Sequence, residues 1–104
     1  DEAFLEEVRA YMGYSEKHLP LAYWRTSTGL EVDLIAGDLE LAIELKAVRQ
    51  ADERHAKGLR ALMEDQKVKS ALIVSLDPVP RRLAGGLTIL PWQVFCRRLW
   101  AGDL

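Results

Sequence analysis

Residues 30–46 read Leu30-Glu31-Val32-Asp33-Leu34-Ile35-Ala36-Gly37-Asp38-Leu39-Glu40-Leu41-Ala42-Ile43-Glu44-Leu45-Lys46, and this stretch decides the fold. Its first half alternates apolar and charged residues and then turns apolar; its second half alternates again. That is the pattern of two strands whose successive side chains point to opposite faces. Gly37-Asp38 suits a two-residue turn between them. With that turn Ala36 opposes Leu39, Asp33 faces Ala42 and Glu31 faces Glu44. Glu31 and Asp33 share one side, as do Glu40, Ala42, Glu44 and Lys46, while Leu39, Leu41, Ile43 and Leu45 face the other way. Asp33 and Glu44 become diagonal neighbours, with Cβ atoms ~7–8 Å apart, close enough for both carboxylates to lean onto one ion. A one-residue slip would put them on opposite faces, so the candidate chemistry rests on this turn.

Outward from the hairpin, Phe4, Leu5, Val8 and Met12 recur at helical spacing and predict an amphipathic helix over residues 1–13. Pro20 bars its continuation, and residues 21–26 suit a strand ending at the turn Ser27-Thr28-Gly29. Downstream, a helix is expected over about 51–65, with His55, Gly58, Leu59 and Leu62 on its inner face. Ala71-Leu72-Ile73-Val74 is a continuous apolar run, as in a strand buried on both faces. Asp77-Pro78-Val79-Pro80 breaks it. A short strand over residues 87–90 follows, and Pro91 suits the first turn of a last helix striped by Trp92, Phe95 and Leu99. The expected fold class is α/β, a mixed central sheet flanked by helices, in the order α-β-β-β-α-β plus a short strand and a C-terminal helix.

The whole chain, residues 1–104, reads as one domain: 104 residues supply a single core, and 49% of them are hydrophobic. No apolar run reaches the ~18 residues of a membrane span, and the acidic start argues against a signal peptide. One cysteine, Cys96, excludes an internal disulfide framework and a cysteine-based zinc site, and suits a reducing cytoplasm. A net charge of −2 excludes an overall basic nucleic-acid module. The charge is uneven, however. Residues 1–44 carry ten acids against three bases, Arg9, Lys17 and Arg25, whereas residues 45–104 carry eleven bases against six acids. Such a split either places acidic and basic faces on one fold or is an accident of counting. The chain lacks an initiator Met and opens inside a helical pattern, which suggests a fragment of a longer chain.

Two carboxylates, a backbone carbonyl and waters form a hard-oxygen set suited to Mg²⁺ or Mn²⁺. Such an ion activates water and polarises a phosphoryl oxygen. Lys46 follows Glu44 on the same face, where an ammonium can orient water or offset charge developing on phosphate. An acid, any residue and then Lys is a weak pattern and occurs twice. Asp65-Gln66-Lys67 lies at a helix end with no partner strand, whereas Glu44-Leu45-Lys46 has the strand and the upstream Asp33. The same spacing also fits a solvated sheet face with cross-strand charge pairs.

The order of elements, with Asp33 and Glu44-Leu45-Lys46 in the middle strands, resembles the PD-(D/E)XK nuclease superfamily. Tyr23-Trp24-Arg25-Thr26, Gly29-Leu30-Glu31-Val32-Asp33 and Ala42-Ile43-Glu44-Leu45-Lys46-Ala47 look like one subgroup in particular. So do His55-Ala56-Lys57-Gly58-Leu59-Arg60-Ala61-Leu62, Val74-Ser75-Leu76-Asp77-Pro78 and Ile89-Leu90-Pro91-Trp92. That subgroup is the uncharacterised domain at the C-terminal end of bacterial and archaeal AAA-type ATPases. The resemblance implies a restriction-endonuclease-like core, with Asp33 and Glu44 as metal ligands, Leu45 offering its carbonyl and Lys46 assisting catalysis. It implies an N-terminal ATPase domain of the same chain as partner, with ATP entering only through that domain. The superfamily often adds an acid from the first helix, and the best alignment puts Asp1 there.

Glu31 and His55 are accessory candidates for the same site; packing or a core hydrogen bond is the alternative role of His55. Arg25 and Lys57 are candidates for DNA phosphate, against the default of a solvated face. Trp24 and Cys96 read as packing residues, Trp92 and Trp100 as helix packing with one of the two exposed where the ATPase would dock, and Arg81-Arg82 and Arg97-Arg98 as surface pairs. His18 is isolated in a loop, and no phosphate-binding glycine loop or nucleophile elbow is present. Two functions follow as expectations. One is a Mg²⁺-dependent DNA phosphodiesterase; the other is a non-catalytic nuclease-fold module that senses DNA or docks to the ATPase.

Overall fold

In a computed structural model of the chain, residues 6, 10 and 21–101 are described. The expected first helix, apart from Glu6 and Ala10, lies outside the described residues, as do Asp1 and His18. Strands β1 (Leu21–Arg25), β2 (Glu31–Ala36) and β3 (Leu41–Leu45) form an antiparallel meander. A single-turn 3₁₀ segment (Glu53–His55) and helix α1 (Lys57–Asp65) lead to β4 (Ser70–Ser75), which lies parallel to β3. Then follow β5 (Arg81–Arg82), β6 (Thr88–Pro91) and helix α2 (Trp92–Ala101). The described strands make one six-stranded mixed sheet in the order β1-β2-β3-β4-β6-β5.

Alternation along the central strands builds a core on each face. Leu41, Ile43, Leu45, Leu72, Val74 and Leu90 meet Phe95 and Leu99 of α2 on one side. Ala42, Ala71, Ile73 and Ile89 meet Leu59 and Leu62 of α1 on the other. β4 is buried through its apolar run, as a parallel strand covered on both faces must be. The sheet between two helical layers is thus the α/β architecture expected from the pattern.

Four boundaries differ from the sequence reading. β2 and β3 are joined by the four residues 37–40, with Leu34 opposite Ile43 and Ala36 opposite Leu41. Leu39 takes φ 58° in this loop and packs against the α1-side core, not the side of Leu41 and Ile43. A left-handed leucine costs ~1–2 kcal/mol, which burial of its side chain offsets. The register therefore moves by two residues from the expected one. Because the side-chain period is two, each residue of β3 keeps its face.

The expected helix over 51–65 is divided at Ala56 (φ −103°, ψ 5°). A capping box closes the 3₁₀ turn first: Asp52 accepts from the Arg54 amide while the His55 side chain accepts from the Asp52 amide. Pro91 ends β6 instead of opening α2 and pairs with Ser75 of β4. β5 is too short to reach that position, so proline leaves no ladder bond on that side unmade. Finally, Arg81-Arg82 form the short edge strand β5, and Arg81 is committed inward. Its guanidinium pairs with Asp77 at 2.6 Å and also donates to the Ala51 carbonyl.

Candidate functional site

β1 and β2 do not pair evenly. Ala22 opposes Ile35 but Trp24 opposes Val32, two steps on β1 against three on β2. The extra residue is a bulge at Asp33-Leu34, and it breaks the expected alternation: Val32 packs with Ile35 on the α1 side. At the bulge the Asp33 carboxylate is aimed along the sheet toward β3. There its Oδ2 accepts the Leu45 amide at 2.9 Å. The next amide, Lys46, donates the opposite way to the Val74 carbonyl at 2.9 Å, so Leu45 is the residue whose polar backbone faces β2. In a strand the N–H and C=O of one residue point to the same side, so the Leu45 carbonyl opens on this edge too.

The β2–β3 ladder ends at Leu34 opposite Ile43, and just beyond it the side chains of Asp33 and Glu44 come together. Glu44 is only 6% exposed. Burial, then the hydrogen bond and charge of Asp33, push its carboxyl up to about 9, with Glu31 adding to the rise and Lys46 opposing it. Gly58 makes the close packing above the pair possible. A Cβ there would lie 1.9 Å from the Glu31 carbonyl oxygen and 3.2 Å from Glu44 Oε2, so α1 can settle on this end of the sheet only through glycine.

The result is a cleft of about 440 Å³ whose lining includes Glu31, Asp33, Glu44, Leu45 and Lys46 on the sheet side. Arg54, His55, Lys57 and Gly58 line it from the 3₁₀ turn and α1. Seven sequence candidates, Glu31, Asp33, Glu44, Leu45, Lys46, His55 and Lys57, are therefore brought together. Arg25 is not among the lining residues; it lies 3.7 Å from Glu31 in an exposed ion pair. Asp1 lies outside the described residues. The second triplet, Asp65-Gln66-Lys67, is exposed at the end of α1 and is not among the residues lining the cleft.

Among the described residues no three His, Cys, Asp or Glu side chains converge as a cation cage. The donors are two carboxylates and a carbonyl, and this set fits Mg²⁺, which keeps several of its waters. Two acids side by side, one of them buried and held protonated, are also an arrangement in which a divalent cation could take the place of the proton and neutralise both carboxylates.

Sequence reasoning missed Asp77. Its carboxylate is 5% exposed and accepts from the Ser75 hydroxyl, the Ala51 amide at 3.0 Å and Arg81. This network ties the segment after Lys46 to the end of β4. Its signals were the stretch Val74-Ser75-Leu76-Asp77-Pro78, which looks like the resembled subgroup, and an acid between an apolar strand and two prolines, which reads equally as a turn. Asp52 carries a second local network. The hydrogen bonds and charge of Arg54 hold its carboxyl below the usual range.

No helix among the described residues is long and apolar enough to cross a membrane. No curated protein and no solved structure matches the chain. A family described as a domain of unknown function, DUF4143, matches residues 1–95, and the chain belongs to that family.

Proposed function

We propose that this domain is a divalent-cation-dependent phosphodiester hydrolase acting on DNA, built on the restriction-endonuclease-like core of the PD-(D/E)XK nucleases. One observation carries the reading: Asp33 and the buried Glu44 stand side by side in an open cleft, with Lys46 lining the same cleft. A solvated face of charge pairs would expose its acids, whereas Glu44 is buried beside Asp33 with its carboxyl pushed up to about 9, the kind of perturbed acid that clusters at functional sites.

Asp33, Glu44 and the Leu45 carbonyl would hold Mg²⁺ or Mn²⁺. When bound, such an ion polarises a phosphoryl oxygen and lowers the pKa of its water. The chain's own residues do the positioning. The Leu45 amide fixes Asp33 by a 2.9 Å bond, so the carboxylate is oriented before any ligand arrives. Lys46 brings an ammonium to the cleft wall, where it can offset negative charge gathering on the phosphate. Lys57 adds a second cation on the opposite wall. The ATPase partner, and ATP through it, follow from the same resemblance.

The test is Mn²⁺ titration of the protein and of Asp33→Asn, with cleavage of labelled single- and double-stranded DNA run in parallel. Binding and cleavage that are both lost in the variant support the reading. A wild-type site that stays metal-free at millimolar Mn²⁺ overturns it.

The second reading, a non-catalytic module, is favoured by the donor count. Among the described residues only Asp33 and Glu44 come together, while Glu31, the third acid of the cleft, is paired with Arg25 at 3.7 Å. Its signature is binding to the ATPase region without DNA binding at low salt.

A further inference from the structure

The ring of His55 is held by one nitrogen. Nδ1 accepts the Asp52 amide at 3.0 Å, closing the capping box. An N–H pointing at Nδ1 requires that nitrogen to carry a lone pair, so in the neutral ring the proton sits on Nε2. Asp52 Oδ1 is 3.4 Å from the same Nδ1, but with the amide occupying the lone pair that approach is not an ion pair. The box therefore fixes both the orientation and the tautomer of the ring.

Among the described residues Nε2–H has no acceptor, and the side chain is 20% exposed on the wall of the cleft. The neighbouring cations divide in the same way. Arg54 is spent on Asp52 through contacts of 2.9–3.1 Å, whereas Lys46 and Lys57 have no ion pair among the described residues. The cleft thus presents an N–H donor and two ammonium groups around Asp33 and Glu44, with the third acid, Glu31, paired to Arg25. An acceptor-rich anion that also approaches a cation on Asp33 and Glu44 matches every one of these groups.

We propose that His55 is a substrate-binding residue, whose Nε2–H donates to a non-bridging oxygen of a phosphate ester held beside Asp33 and Glu44. This rests on the cation reading of the site but goes further, because it assigns the 3₁₀ turn a role in recognition beyond starting α1. Asp52 is then a positioning residue that acts through the ring.

The experiment uses His55→Asn. The Asn Oδ1 stands where Nδ1 stood and can still accept the Asp52 amide, while nothing replaces Nε2–H. Wild type and variant are compared by thermal unfolding, by Mn²⁺ affinity, and by binding of thymidine 5′-monophosphate with Ca²⁺ present. The expected result is unchanged unfolding and Mn²⁺ affinity, with binding of the monophosphate weakened about tenfold or more, the scale of one hydrogen bond to a charged group. Equal monophosphate affinity in the two proteins overturns the role of His55 and leaves the cation site standing. Absence of Mn²⁺ binding in the wild type overturns both, and is seen before any variant is made. Should the variant unfold, the ¹⁵N-histidine spectrum of the wild-type protein decides. The Nε2–H tautomer, with a resonance that moves on adding the monophosphate, supports the proposal. An Nδ1–H tautomer or an unmoved resonance overturns it.

Discussion

The Leu45 amide donates to the Asp33 carboxylate at 2.9 Å across a bulge in β2, so a side chain takes the place of a ladder carbonyl. This bond makes the acid part of the sheet's own hydrogen-bond pattern and fixes it beside Glu44. Asp33→Asn keeps an oxygen acceptor for Leu45 and removes the negative charge that helps hold the proton on Glu44. The urea midpoint should change little at pH 7, where Glu44 is uncharged, while Mn²⁺ affinity falls by more than the about 10–100-fold typical of outer-shell changes. Paired denaturation and Mn²⁺ titration separate the two effects.

The proton on Glu44 makes stability depend on pH. Without divalent cations the folded chain keeps that proton up to about pH 9, whereas an ordinary glutamate releases it near 4.5. Between those values the native state binds a proton that the unfolded chain has lost. Stability is therefore greatest at the acidic end and falls as pH rises, by up to about 1.4 kcal/mol per unit. Glu44→Gln should flatten this slope, and Mg²⁺ should raise Tm more at pH 8.5 than at 5.5. A slope unchanged in the variant would assign it to another group.

At Gly58 a methyl group would meet the Glu31 carbonyl at 1.9 Å, a backbone atom that cannot swing aside. Gly58→Ala must lift α1 from β2, at a cost of about 1–3 kcal/mol despite the better helix propensity of alanine. Because Glu44 Oε2 is 3.2 Å from the same point, Mn²⁺ binding should weaken as well. Ala61→Gly, in the middle of the same helix, controls for propensity: it should cost about 1 kcal/mol and leave Mn²⁺ affinity unchanged.

Asp77 has the opposite pH sign. Burial opposes its charge, but hydrogen bonds from Ser75, Ala51 and Arg81 outweigh that and hold its carboxyl below the usual range. Its stabilisation is present above the ordinary aspartate range and is lost as pH falls through the lowered value. Asp77→Ala should cost about 1.5–3 kcal/mol at pH 7 and reduce the acid sensitivity of unfolding. Denaturant midpoints between pH 3 and 7 measure both.

Binding to DNA, if the basic wall serves it, must depend on salt. The affinity of a duplex oligonucleotide should fall linearly with salt on logarithmic axes, and Lys57→Gln should reduce the slope by about 0.9. Binding that ignores salt would favour the docking module.

Much of this was legible in residues 30–46. Alternation told Leu41, Ile43 and Leu45 from Ala42 and Glu44, and the apolar run at 71–74 marked a strand covered on both faces, because side-chain period is a local property. The turn was misjudged because its length is decided by Leu39, which takes a left-handed conformation to reach a core that the local sequence does not display. The error left Glu44 on its face only because the register moved by an even number.

The sequence by itself determined the α/β order, the two sheet faces and which acids and lysine could meet. Tertiary structure alone decided that Asp33 and Glu44 come together at the end of the β2–β3 ladder, that a bulge turns Asp33 onto the Leu45 amide, and that Gly58 brings α1 down on them. It also decided the burial of Asp77 and the fixed ring of His55. Each depends on contact between segments distant in the chain or on a cap formed only once the turn is folded. Periodicity specifies which way a side chain faces along one element; what it faces is set when the elements pack.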